Sequence, residues 1–187
     1  MGLNEGDQLI NVKLINQTND VLLVTKKGIA IRFNSSAIRE TGRSACGIRG
    51  IKLGDDDVVV LANIIDNDNA SLITITKSGY AKRSILEKFR VQRRGGQGVV
   101  CMNVNSLTGD IVSANMINDN NEQIIVVTSQ GMLIRSKVER IRELGRHTQG
   151  SRIQKLRDGD SIASVVYLGI IEGDIVDDNI IDEENKE

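Results

Sequence analysis

An all-β fold of the propeller type, three four-stranded blades forming a partial ring or arc, follows from three observations on this 187-residue chain. A unit of about 51 residues occurs three times in it. Each unit opens on a β-branched apolar run of strand length that ends in Thr, two residues and a Gly. Each unit also has room for four such runs, the signature of a propeller blade. With 40% of the residues hydrophobic, the chain can bury a core.

The repeat aligns without gaps over Val21–Leu53, Leu72–Val104 and Ile124–Leu156. The turn glycines Gly28, Gly79 and Gly131 lie 51 and 52 residues apart, each preceded three positions earlier by Thr25, Thr76 or Thr128. The first strands are Val21–Thr25, Leu72–Thr76 and Ile124–Thr128, rich in the β-branched residues that suit a pleated surface. The pairs Lys27-Gly28, Ser78-Gly79 and Gln130-Gly131 then fit a tight hairpin, whose turn needs the positive φ that Gly adopts freely. A second strand such as Ile29–Phe33 follows. After it comes a polar loop with room for a helical turn (Ser35–Arg39, Leu86–Arg90, Val138–Arg142). A second Gly (Gly47, Gly98, Gly150) introduces a third strand, for example Ile48–Leu53. An acidic turn leads to a fourth: Asp57–Ile64, Asp110–Met116 and Asp160–Leu168.

This places repeats near residues 13–64, 65–116 and 117–168, after a lone fourth strand of a preceding blade at 6–12. Residues 1–171 are then blades and 172–187 a disordered acidic tail. Three blades fall short of the roughly four to eight that close a ring, so the expectation is a fragment of a longer protein, with an open arc or half of an assembly as alternatives.

The formal charge of −1 hides two bodies of opposite sign. The tail from Glu172 to Glu187 carries eight acids and one base, a net of −7, so the first 171 residues carry +6. The tail is either a solubiliser or an electrostatic competitor for whatever the basic body binds. Four aromatics and no Trp or Pro make base-stacking platforms and Pro-rich ligands poor bets. Two Cys and one His exclude a zinc site of two Cys and two His, and reduced thiols fit a cytoplasmic protein. No apolar run approaches a membrane span, and no cofactor or metal motif stands out.

Arg recurs in strict register: four residues after the turn Gly (Arg32, Arg83, Arg135), eleven after (Arg39, Arg90, Arg142) and fifteen after (Arg43, Arg94, Arg146). In the second repeat the loop reads Gln92-Arg93-Arg94-Gly95-Gly96-Gln97-Gly98, and no acid lies between Lys88 and Asp110. Guanidinium forks match phosphate oxygens, and glycines let backbone N–H groups be aimed at an anion. Each Arg also has a structural reading as an ion pair to the acidic turn of a neighbouring blade. That reading weighs more for the strand positions Arg32, Arg83 and Arg135 than for the loop positions Arg43, Arg93, Arg94 and Arg146.

The heptad QRRGGQG resembles the GyrA-box, and the repeats resemble the β-pinwheel blades of the DNA gyrase A C-terminal domain family over nearly all of residues 1–171. The phrases GIRGIKLGDDDVVV, TKSGYAKRS and GRHTQGSRIQKL carry the likeness further. The resemblance implies the final three blades of a six-bladed disk plus the acidic tail. It implies duplex DNA wrapped around the rim without sequence specificity in support of supercoiling. As partners it implies the remainder of the gyrase A subunit, together with the gyrase B subunit. The implied location is cytoplasmic and nucleoid-associated. The implied DNA contacts are Gln92 to Gly98 and the registered arginines. Two departures stand out: Gln97 replaces the family's usual Lys or Arg, and the motif sits in what resembles the fifth blade, whereas the principal box belongs to the first. Neither Tyr80 nor Tyr167 matches the catalytic motif, so this chain is expected to be non-catalytic. The rival readings are the related topoisomerase IV A-subunit domain and a propeller-type protein-interaction module.

Overall fold

The structure, a computed structural model, describes residues 2–3, 5–16, 18–42, 45–118 and 122–169. Its first two strands, β1 (Asp20–Thr25) and β2 (Ile29–Asn34), form the expected hairpin, and β3 (Val59–Ile65) pairs with the other edge of β1. The second repeat gives β4 (Ser71–Thr76), β5 (Tyr80–Ile85), β6 (Val99–Val100) and β7 (Ile111–Ile117). The third gives β8 (Gln123–Thr128), β9 (Leu133–Lys137), β10 (Ser151–Arg152) and β11 (Ile162–Leu168). All ladders between these strands are antiparallel.

The hairpins explain the repeated Thr and Gly. Gly28, Gly79 and Gly131 have φ of 85°, 80° and 82°. The Thr25, Thr76 and Thr128 hydroxyls each accept from the first amide after the turn, Ile29, Tyr80 or Met132, at 3.2 Å. The turn is thereby closed by a side chain as well as by the backbone bond from the Gly N–H to the Thr carbonyl. The expected helical turns are short 3-10 turns, Ser35–Ala37, Leu86–Lys88 and Val138–Arg140.

Connectivity departs from the expectation of four strands per repeat making one blade. The sheet orders are β3-β1-β2-β6, β10-β5-β4-β7 and β11-β8-β9. The short strand after the second Gly therefore leaves its own repeat and completes the preceding one: Val99 and Val100 pair with Ala30 and Ile29, and Ser151 and Arg152 pair with Ala81 and Tyr80. The physical reason is close approach. At Gly98 a Cβ would lie 2.6 Å from the Ala30 carbonyl, and at Gly150 the same distance from that of Ala81. Only Gly lets the chain press against the neighbour's second strand there.

Two further expectations are corrected on the same ground. Ile48–Leu53 and residues 6–12 form no strands. The repeat logic gives both a partner in a preceding blade, and the described residues contain no such hairpin. The third sheet, likewise, has three strands, because among the described residues no following repeat supplies its fourth.

The core lies between successive sheets. Leu22, Val24 and Leu61 of the first meet Leu72, Tyr80, Ile111 and Ala114 of the second, with Leu86 and Phe89 from the intervening loop. Ile73, Ile75, Ala81 and Ile117 of the second meet Ile124, Val126 and Ile162 of the third, with Val138 and Ile141. Burial of these apolar surfaces holds the repeats together through the hydrophobic effect. Among the described residues, no helix is long and apolar enough to cross a membrane.

Candidate nucleic-acid interface

The acidic turns, candidate partners of the registered arginines, are engaged by other groups, Asp110 by the ammonium of Lys27 in the first repeat at 2.9 Å. Asp57 Oδ1 accepts from the Lys27 and Val58 amides at 3.0 and 2.9 Å, and Asp160 Oδ1 from Gln130 and Ser161 at 3.1 and 2.8 Å. Their carboxylates therefore brace the neighbouring hairpin. Among the described residues no group of three or more His, Cys, Asp or Glu is placed to hold a metal ion.

The three arginines four after the turn Gly point their Nε into the fold. Arg32 Nε donates to Asp20 at 2.7 Å and its NH2 to Asp68 at 2.8 Å. Arg83 Nε donates to the Ile141 carbonyl and Arg135 Nε to Gln123 Oε1, each at 2.7 Å. The same register thus meets an ion pair, a backbone carbonyl and a side-chain amide.

The arginines fifteen after the turn Gly act as staples between repeats. Arg94 donates Nε to the Ala37 carbonyl at 3.0 Å and NH1 to the Arg49 carbonyl. Arg146 donates NH1 to the Val100 carbonyl at 2.9 Å and lies over the Phe89 ring at 6.0 Å. Arg49 and Val100 occupy the same repeat position, two after the second Gly. The staple is one repeated device, and it anchors each loop to the third segment of the repeat before it. The matching Arg43 lies outside the described residues.

The glycine loop is organised differently from a phosphate cradle. The Gly95 N–H donates to the Gly50 carbonyl at 2.7 Å, and the Gly96 N–H to the Arg93 carbonyl at 3.3 Å. The Gly96 carbonyl accepts from Lys52 at 2.8 Å. The expectation that these amides aim at an anion is therefore corrected: both serve the fold. Gly95 (φ 79°) and Gly98 (φ 75°) supply backbone conformations costly for other residues. Gln92 donates its N–H to the Arg32 carbonyl at 2.7 Å, while its Nε2 is buried without a partner among the described residues. Gln97 is exposed.

What remains outward are the arginines eleven after the turn Gly. Arg39, Arg90 and Arg142 are exposed, each just past its blade's 3-10 turn, and Arg93 is exposed beside them in the second repeat. Among the described residues no ion pair engages any of the four.

Among the described residues one cation outside the registered set is buried. Lys82 is fully buried in β5, where its repeat equivalents are Ile31 and Ile134. Its Nζ donates to the Gly145 and Arg146 carbonyls at 2.7 and 2.8 Å and to Thr148 Oγ1 at 3.3 Å. It clamps the third repeat's loop from below. Burial pulls its pKa from 10.5 to about 8, with nearby Cys101 opposing and Arg146 and Lys88 assisting. In the sequence its signal is a Lys at a position where both neighbouring repeats carry Ile.

Sheets that share strands between repeats, with loops that present cations in one register, define a repeat β domain of the propeller class. The family model for the DNA gyrase C-terminal domain, beta-propeller, matches residues 19–66, 70–118 and 122–167, one block per sheet. The chain belongs to this DNA gyrase A C-terminal domain family. It is 38% identical over 179 residues to the DNA gyrase A subunit of Lawsonia intracellularis, covering 95% of this chain and 21% of that protein. It is 35% identical over 165 residues to the gyrase A subunit of Salmonella typhimurium, covering 88% and 19%. The chain thus spans about a fifth of the length of the curated relatives it matches. A solved gyrase A C-terminal domain superposes with a TM-score of 0.80 at 26% identity, covering 90% of this chain and 57% of that one. A C-terminal domain of DNA topoisomerase IV gives 0.81 at 25%, covering 89% and 52%.

Proposed function

We propose that this chain binds duplex DNA through its phosphate backbone and bends it around the blade edge, as the non-catalytic C-terminal part of a gyrase A subunit. In that setting it works with the remainder of the A subunit, and with the B subunit, in the cytoplasm on the nucleoid, in support of supercoiling. The observation that carries the reading is the exposed register of Arg39, Arg90 and Arg142, one per repeat, with Arg93 added in the second. Equivalent positions on successive blades follow one edge, so the cations recur along a path as phosphates do. Such an array neutralises backbone charge without reading bases. Wrapping has to offset a bending cost of roughly 1–6 kcal/mol per 20–30 base pairs, which distributed contacts on a preformed edge can do.

The residues of the interface divide by geometry. Arg39, Arg90, Arg93 and Arg142 are the primary phosphate contacts. Arg94, Arg146, Arg32, Arg83 and Arg135 hold the loops and strands first and meet phosphate second. Gln92, Gly95, Gly96 and Gly98 shape the loop; Gln97 faces outward, and Arg43 is assigned by register alone. The gyrase reading is preferred over topoisomerase IV on the relatives' sequence identity.

The test is equilibrium binding of the chain to duplexes of unrelated sequence across a salt series. Expected are equal affinities and a steep fall with salt. Binding indifferent to salt overturns the proposal.

A further inference from the structure

The middle repeat differs from both neighbours in the turn before its last strand. Asp110 comes 12 residues after Gly98, whereas Asp57 comes 10 after Gly47 and Asp160 10 after Gly150. The longer turn builds a closed loop at residues 105–109. Asn105 Oδ1 accepts from the Leu107 and Thr108 amides at 2.9 and 3.1 Å, and Thr108 Oγ1 accepts from the Asn105 amide at 3.0 Å. The Thr108 carbonyl accepts from Ser78 at 3.1 Å, which ties the loop to the hairpin tip, and Thr108 itself is 0% exposed. Gly109, with φ 67°, passes so near that tip that a Cβ would lie 3.1 Å from Ser78 Oγ. On this fixed frame Leu107 stands out, 53% exposed. The sheets of the repeats before and after it are both in place, so the exposure belongs to the loop itself.

The loop abuts the third repeat's glycine loop. The Asn103 amide donates to the Thr148 carbonyl at 3.0 Å, and Asn105 Nδ2 to Gln149 Oε1 at 3.2 Å. Gln149 holds the repeat position of exposed Gln97, and its loop follows directly on exposed Arg142. The surroundings suit a polyanion. No acid lies between Lys88 and Asp110, and the Asp110 carboxylate is held by Lys27 Nζ at 2.9 Å. Lys77 is exposed, and its Cβ would lie 3.3 Å from a Cβ on Gly109.

We propose that Leu107 is a wedge that enters a duplex from the minor groove, between two base pairs, and kinks it at the middle repeat. This inference rests on the DNA-binding reading and says where the bend is made. An apolar side chain set among phosphate contacts partly unstacks the step it enters and bends the duplex by about 20–90° toward the major groove. Arg90 and Arg93 of the second repeat and Arg142 of the third supply the phosphate contacts that hold the two arms. The loop is ordered before DNA arrives, so its ordering costs nothing at the moment of binding.

The experiment compares the full chain with Leu107→Ala and Leu107→Phe. Each is bound to a thymine-rich duplex labelled at both ends for energy transfer, and the complex is probed with permanganate, which oxidises thymines that have lost their stacking. The wild-type chain should raise energy transfer and make thymines in the middle of its footprint reactive. Leu107→Ala should lose that reactivity and much of the transfer. Its salt slope should not change, because no charge is removed. Leu107→Phe should keep the reactivity. Unchanged melting temperatures, expected for an exposed position, check folding. Equal reactivity in the wild type and Leu107→Ala overturns the proposal, as does a wild-type complex without reactive thymines. Salt-dependent binding without unstacking overturns this inference alone. A chain that binds no duplex overturns the DNA-binding reading and this inference with it.

Discussion

The loops Gln92–Gly98 and Leu144–Gly150 occupy the same repeat position and share a backbone plan. Each ends in a Gly that a Cβ would drive to 2.6 Å from the neighbouring strand's carbonyl. Each is stapled by an Arg onto the same equivalent carbonyl of the preceding repeat. They differ beneath and above. Under the second repeat's loop lies Ile31, and under the third repeat's loop lies the ammonium of Lys82. On the outside, Arg93 stands where the third repeat has Gly145. The shared parts are therefore folding devices, and the difference locates the exposed charge on which the proposed DNA contact draws.

The largest effect should come from attacking what the loops share. Gly98→Ala and Gly150→Ala each combine a positive φ with a backbone clash and should destabilise by more than about 1 kcal/mol. Thermal melting checks this, and the two losses should be similar; a neutral result at either site separates the loops. Next, Arg94→Ala and Arg146→Ala each remove a hydrogen bond to a backbone carbonyl and should cost about 1–2 kcal/mol in the same assay. Unchanged melting in both would return these residues to the DNA-contact set.

Lys82→Ile installs in β5 the residue that β2 and β9 carry. The folded-state pKa of about 8 lies below the ordinary value of 10.5. Between those values the unfolded chain binds a proton that the folded chain has lost, so stability owed to Lys82 rises with pH in that window. Below about 8 both states are protonated and the contribution is constant. The melting difference between wild type and Lys82→Ile should therefore be flat below about pH 8 and shift in favour of wild type above it. Buried Cys101, held up at about 12, opposes the rise, and it is present in both proteins. A flat difference throughout would remove the clamp from the comparison. Smallest in stability is Arg93→Ala, expected within about 0.5 kcal/mol of wild type. It should nonetheless lower the slope of log affinity against log salt by about 0.9, as for one lost phosphate contact. A large melting loss with an unchanged slope would make Arg93 a third staple.

The hairpins are legible in the sequence because a tight turn uses few atoms. Thr25, Gly28 and their equivalents do one local job, and local jobs leave fixed spacings. The strand exchange is not legible, because a period of about 51 residues has no marked start. In sequence Val99–Val100 lies between β5 and β7 of the second sheet, and only the approach of Gly98 to Ala30 assigns it to the first. The arginine register is legible as a pattern and only partly as chemistry. A guanidinium bound to a carbonyl and one facing solvent look alike in sequence, so Arg94 and Arg93 carry the same expectation there and different roles in the fold. Lys82 stays hidden for the opposite reason: repeats advertise what recurs, and its meaning lies in not recurring.

Sharing strands also sets an order in time. When β2 leaves the ribosome, the segment that covers its outer edge is still about 70 residues from being made. At roughly 5–20 residues per second that is a wait of about 4–14 s. A growing chain of this kind always carries one unfinished sheet at its leading end, and each new repeat finishes the last while opening another.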